Sequence, residues 1–163
     1  MKTLLILRHA KSGGKHADIP DYQRPLKARG KRDAPLMGKL LRREGLVPDL
    51  ILSSGAIRAR RTADLAAEAC SYKREIRYTR RLYAADVVDV LDYLQKVEDR
   101  YRRVMVVGHN PDLELLLEVL SGEYHRLPTA ALAHLALPID RWADLGGETQ
   151  ATLHDLWRPK ELD

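Results

Sequence analysis

Three short, almost wholly apolar runs set the limits on this chain: Thr3 to Leu7, Asp49 to Ser53 and Arg103 to Val107. A run that is apolar at successive positions, rather than alternating, is a strand buried on both faces. Each is followed by a longer stretch with helical spacing. Ala28 to Glu44 places Leu36, Met37, Leu40 and Leu41 on one face, and Gly45 is its stop signal. Pro35 inside it predicts a late start or a kink. Ile57 to Cys70 and Asp86 to Val97 are the next two helices. Asn110 is read as the cap of a fourth, with Pro111 at its first position, running to about Leu120.

Glu75 to Tyr78 is a short further strand, and Ala131 to Leu137 and Ala151 to Trp157 are two late ones with no helix between or after them. Strands alternating with helices predict an α/β fold, a mainly parallel central sheet flanked by helices on both faces. The two late strands add an antiparallel edge. No repeat, low-complexity tract or linker divides residues 1–163, so one domain is expected.

Composition narrows the classes. Phe is absent, so Leu, Val, Ile and seven Tyr must fill the core. The single cysteine, Cys70, cannot form an internal disulfide and is read as core filler near a helix end. The apolar stretch before Arg8 is too short for a signal-peptide core, and no run approaches the roughly 18 apolar residues of a spanning helix. A soluble, cytoplasmic protein with no membrane partner is the expectation.

The net charge of +5 favours anionic partners. It lies in short clusters (Arg29 to Arg32, Arg58 to Arg61, Arg80-Arg81, Arg100 to Arg103), most of which read as solvated faces. Without interleaved aromatics they offer bases no stacking platform, so nucleic acid is not expected.

Three strands end in residues suited to phosphate chemistry. The first runs into Arg8-His9-Ala10-Lys11-Ser12, the second into Ser53-Ser54-Gly55-Ala56-Ile57-Arg58, the fourth into Gly108-His109-Asn110-Pro111. Ligands of open α/β sheets bind beyond the carboxyl ends of the strands. Parallel strands therefore make neighbours of His9 and His109, which are 100 positions apart. A phosphoryl group in transfer carries charge on its equatorial oxygens, so catalysis is largely positioning and charge stabilisation.

Arg8 and Arg58 offer planar, permanently charged forks. The backbone N–H groups of the helix after Gly108, around Asn110, add to them. Neutral His9 has a lone pair that can attack phosphorus, and a hydrogen bond from its other nitrogen to a backbone carbonyl would fix the tautomer. Taken singly, His9 and His109 read more readily as structural residues than catalytic ones, and Arg58 as part of an exposed basic face. Their coincidence at matching strand ends carries the case. His16, His125, His134 and His154 read as surface or core residues without zinc-ligand spacing.

These motifs resemble the histidine phosphatase superfamily, also called phosphoglycerate mutase-like, and within it the short SixA-type phosphohistidine phosphatases. The resemblance rests on Leu7-Arg8-His9-Ala10-Lys11-Ser12, Arg24-Pro25-Leu26 with Arg29-Gly30, Ser54 to Thr62, Gly108-His109-Asn110-Pro111 and Pro159-Lys160-Glu161-Leu162. It implies a three-layer α/β sandwich, no metal and no organic cofactor. His9 would carry the phosphoryl group in a pocket of Arg8, Arg58 and His109. Ala10 stands where the superfamily usually has Gly, Gly55 where Pro often follows the Ser, and Arg61 where Gln is common.

Larger members carry a leaving-group acid in an inserted segment, and this chain has little sequence between Cys70 and Asp86 to hold one. Asp18 and Asp86 are candidates by position alone, and read more readily as a loop residue and a helix cap, respectively. The expected substrate is a phosphohistidine protein, with a small phosphorylated metabolite second. A mutase, or a silent phosphate- or nucleic-acid-binding module, is the alternative.

Overall fold

A computed structural model describes residues 1–13 and 18–162. Its frame is a six-stranded sheet in the order β3-β2-β4-β1-β5-β6. The strands are β1 (Lys2–Arg8), β2 (Leu50–Ser54), β3 (Ile76–Thr79), β4 (Arg103–Gly108), β5 (Leu132–Leu137) and β6 (Thr152–Trp157). The first four are mutually parallel where they pair, β5 is antiparallel to β1, and β6 is antiparallel to β5. The late strands thus form the antiparallel edge expected of them.

Side chains alternate across a strand, and β1 shows what that does. Leu4 and Ile6 point into one core with Val104 and Val106, against Val90 and Leu94 of α3 (Val87–Gln95) and Leu113, Leu116 and Leu117 of α4 (Asp112–Ser121). Leu5 and Leu7 point into the other with Met105 and Val107, against Met37, Leu40 and Leu41 of α1 (Ala28–Arg43) and Ala59, Ala63 and Ala66 of α2 (Ile57–Ala69). All four β1 residues are fully buried. Each contributes about 1.5–3 kcal/mol of transfer free energy, which makes helix–sheet–helix layering the stable arrangement. Cys70 is buried at the end of α2 as core filler.

Two boundaries differ from expectation. The first helix does not start late at Pro35; it runs from Ala28 to Arg43 with the proline inside. An interior proline costs about 3 kcal/mol or more. Gly30 and Ala34 before it, and Met37, Gly38 and Leu41 after it, are all buried, so packing on both sides holds the helix through the lost hydrogen bond. Gly45, at φ 69°, then ends the helix, with the Leu46 N–H bonded back to the Leu41 carbonyl at 2.8 Å.

Asn110 does not cap the fourth helix, which begins at Asp112 with Pro111 in the flanking position. Its side-chain amide instead donates to the Leu127 carbonyl at 2.9 Å, because the segment before β5 crosses the sheet edge there. Among the described residues no helix is long and apolar enough to cross a membrane.

Candidate active site

The register places the site. β4 lies between β2 and β1, with Arg8 opposite Gly108 and Ser53 opposite Val107. The residues just beyond therefore end at one level. His9 N–H donates to the Gly108 carbonyl at 3.0 Å, which fixes the two histidines side by side, ring centroids 5.2 Å apart. Arg8, His9, Arg58 and His109 converge here, and both arginines bear electrostatically on both imidazoles.

His9 is buried, at 6% exposure, rather than lying on a solvent-facing loop. Its Nδ1 is 2.8 Å from the Ala10 carbonyl. A carbonyl only accepts, so Nδ1 carries the proton and Nε2 keeps its lone pair. Burial, with lesser contributions from His109, Arg8 and Arg58, lowers the pKa of His9 to about 3. Burial and Arg58 lower that of His109 to about 4. Both rings are neutral across the physiological range.

Thr62 ties the two halves of the site together. Its hydroxyl, fully buried, accepts from the Ala10 N–H at 2.9 Å and donates to the Arg58 carbonyl at 2.6 Å. One side chain thus sets the peptide that aims His9 and the turn that carries Arg58. Replacing Thr62 by Val keeps the shape but strands a buried N–H, at a cost of about 1–3 kcal/mol. A lowered urea midpoint with a reduced kcat is expected; an unchanged midpoint would remove Thr62 from this role.

Arg8 Nη1 donates to the Leu127 carbonyl at 3.0 Å, so Leu127 positions Arg8 and Asn110 together. Arg58 enters from the first turn of α2 and donates to the Asp21 carbonyl at 2.7 Å and to its carboxylate at 3.0 Å. The Tyr83 hydroxyl first, and Arg58 and Arg24 after it, hold Asp21 down to about 2. Asp21 is therefore a carboxylate at any working pH and no proton donor. His109 Nε2 lies 2.8 Å from Ser54 Oγ, which also accepts from the Ala56 N–H. Arg8 Nε, Arg58 Nε and His109 Nδ1 are buried without a hydrogen-bond partner among the described residues. A buried orphan donor costs about 1–3 kcal/mol, a cost that an anion held in this cluster would relieve.

Sequence reasoning missed several of these groups. Tyr83 packs edge-on to His109 at 5.6 Å, and Tyr22 edge-on to Tyr83 at 4.7 Å. They form a wall that Arg80 covers from 4.1 Å over Tyr22. Gly55 belongs to the same wall, since a Cβ there would stand 2.1 Å from the Tyr22 hydroxyl. The sign of Asp21 and Tyr22 in the sequence was their place just before Arg24-Pro25-Leu26.

Asp86 is a helix cap: it accepts from the Asp89 N–H at 2.9 Å and its own N–H returns to the Asp89 carboxylate. Asp18 is exposed. His134 is bonded to Asp155 at 3.1 Å and tilted against His154, His125 is near Glu123, and His16 lies outside the described residues. Among the described residues no group of three or more His, Cys, Asp or Glu could hold a metal.

The depressed His9 pKa makes a stability prediction. An unfolded histidine takes up its proton near 6.5, whereas His9 in the fold does so only near 3. Between these values the unfolded chain binds more protons, so His9 subtracts stability as pH falls from about 6.5. Asp112, raised to about 7 by burial, acts in the opposite sense, so the overall profile does not isolate His9. The difference does: the urea-midpoint gap between wild type and His9→Gln should shift in favour of the variant between pH 7 and pH 4. A pH-independent gap would contradict the neutral-histidine site.

Comparison with known proteins bears on the same residues. Residues 4–87 match the family model of the histidine phosphatase superfamily (branch 1), a span that holds Arg8, His9 and Arg58. The protein Rv1276c of Mycobacterium tuberculosis is 35% identical over 151 residues, 85% of this chain and 91% of its own. SixA from Agrobacterium tumefaciens is 29% identical, with a TM-score of 0.83 over 97% of this chain and 98% of its own. The protein histidine phosphatase SixA complexed with tungstate superposes with a TM-score of 0.84 at 24% identity, over 99% of each chain.

Proposed function

From the premise that the chain belongs to the histidine phosphatase superfamily, we propose that it hydrolyses a phosphohistidine on another protein, through a covalent phosphohistidine of its own at His9. The observation that carries this reading is the His9 geometry: a neutral ring, Nδ1–H held by the Ala10 carbonyl, among two guanidiniums and a second imidazole.

In the first step His9 Nε2 attacks phosphorus while the bond to the leaving nitrogen breaks; its electron pair departs with the substrate ring, which leaves as neutral imidazole because its other nitrogen already carries a proton. Arg8 and Arg58 take the charge on the equatorial oxygens, Arg58 exchanging its hold on the Asp21 carboxylate for the phosphoryl group. Ser54 accepts from Ala56 and can donate to His109 Nε2, which leaves His109 Nδ1–H as a further donor. In the second step water attacks the phosphorus on His9, releasing phosphate and restoring the ring. No metal or organic cofactor is needed in this scheme.

Two features favour a phosphohistidine over an alkyl ester. Only β3 and a short turn at Arg80–Leu82 lie between α2 and α3, where a larger acid-bearing insert would stand. The carboxylate at the site, Asp21, is held ionised, and an imidazole leaves with less help from an acid than an alkoxide does. The protein histidine phosphatase SixA, which shares the fold, forms a complex with tungstate, an oxyanion. The test is a comparison of kcat/KM on a phosphohistidine protein and on simple phosphate esters. Faster turnover of the esters would sink the protein-substrate version and favour a small phosphorylated metabolite.

A further inference from the structure

A groove of about 950 Å³ lies beside the phosphoryl pocket. Five cations line it: Arg29 and Arg32 of α1, Arg126 before β5, and Arg158 and Lys160 at the end of the chain. Two carboxylates share the lining, and both are engaged: Asp33 lies 3.7 Å from Arg29, Glu161 3.8 Å from Arg158. Arg32 and Lys160 are exposed and make no hydrogen bond or ion pair with the described residues.

Topology puts this groove at the edge of the sheet where His9 stands. β6 runs parallel to β1 because each is antiparallel to β5, so the turn Pro159–Glu161 after β6 emerges at the carboxyl end of β1. α1 starts at the same edge, since the Lys27 N–H donates to the Lys11 carbonyl at 2.9 Å. The segment entering β5 is the shared wall. Leu127 holds Arg8 and Asn110, and the Ala130 N–H donates to the His9 carbonyl, while Arg126, Pro128 and Thr129 face the groove. The groove is braced across its width: Arg158 donates to the Arg126 carbonyl at 3.1 Å, and Arg29 to the Thr129 hydroxyl at 3.3 Å.

The geometry points to a docking groove for an acidic segment of the phosphorylated partner, lying alongside the residue whose phosphoryl group His9 takes; this rests on the phosphatase reading above. Charge complementarity selects the occupant, since cations from three separate parts of the chain surround a space many times larger than one phosphate. No aromatic side chain lines it, which leaves nucleic acid without stacking platforms. Leu36, Pro128 and Pro159 supply the apolar contacts that a peptide's side chains can use.

The double variant Arg32→Glu/Lys160→Glu tests this without touching the catalytic cluster. A labelled oligoglutamate peptide, followed by fluorescence anisotropy, should bind wild type roughly tenfold or more tightly than the variant, and weaken with salt. A phosphohistidine peptide with Asp- and Glu-rich flanks should be turned over roughly tenfold faster in kcat/KM than one with neutral flanks. The variant should lose that preference while hydrolysing p-nitrophenyl phosphate at the wild-type rate. Equal oligoglutamate binding by the two proteins overturns the proposal, as does tighter binding of a single-stranded oligonucleotide than of oligoglutamate. Oligoglutamate carries no phosphoryl group, so failure of turnover on every phosphorylated probe would overturn the phosphatase reading and leave the binding result standing.

Discussion

His9→Ala is expected to abolish turnover, with kcat falling by roughly 10⁴- to 10⁶-fold, the scale seen when a covalent nucleophile is removed from a preorganised site. The arginines and His109 would still hold the phosphoryl group, so substrate binding should survive while chemistry stops. Wild type incubated with a labelled phosphohistidine donor and quenched early should carry label on one histidine, and the variant none. His9 is buried, so the substitution leaves a small void beneath the Tyr83–His109 wall. The fold rests elsewhere, on the two cores either side of β1, and thermal unfolding should remain cooperative. Turnover retained by a folded His9→Ala protein would refute the covalent route.

Arg58→Ala is the second large effect. Removing a preorganised group that meets developing charge costs about 2–4 kcal/mol in transition-state stabilisation, roughly 30- to 900-fold in kcat/KM. Arg8→Ala should fall in the same range, because its guanidinium is fixed by the Leu127 carbonyl and has its Nε left for the ligand. Arg58→Lys should recover only part of the loss, since a single ammonium cannot reproduce a planar fork. Asp21 supplies an internal control. Without Arg58 it keeps the Tyr83 hydroxyl but loses a cation, so its pKa should rise from about 2. NMR titration of that carboxyl reads this directly; an unmoved pKa together with unimpaired kcat/KM would show that Arg58 is not where the anion binds.

Much of this was legible in the sequence, for local reasons. The continuous apolar runs of β1, β2 and β4 could only be buried strands, and each carried its polar terminus with it. Arg8, His9, Arg58 and His109 could be read because each stands at a strand end or in the first turn after one. Asp86 already looked like a cap. The failures were of another kind. Pro35 argues against a helix locally, but the buried residues on either side of it outweigh that cost. Asn110 and Pro111 form a strong local cap signal, yet the Leu127 carbonyl takes the Asn110 side chain from 17 residues away. Asp21, Tyr22 and Thr62 lie in or beside motifs, but nothing local marks them or Tyr83 as site residues, and they join the site only through partners far along the chain.

The sequence by itself determined the layered α/β architecture and which residues stand at the strand ends, because hydrophobic periodicity and the identity of a terminal residue are local properties. The tertiary structure alone decided the protonation of the two histidines, the ionisation of Asp21, the wall built around Gly55 and the basic groove beside Arg8. Those depend on burial and on distances between segments separated by tens of residues. No local pattern encodes a dielectric environment or a through-space charge.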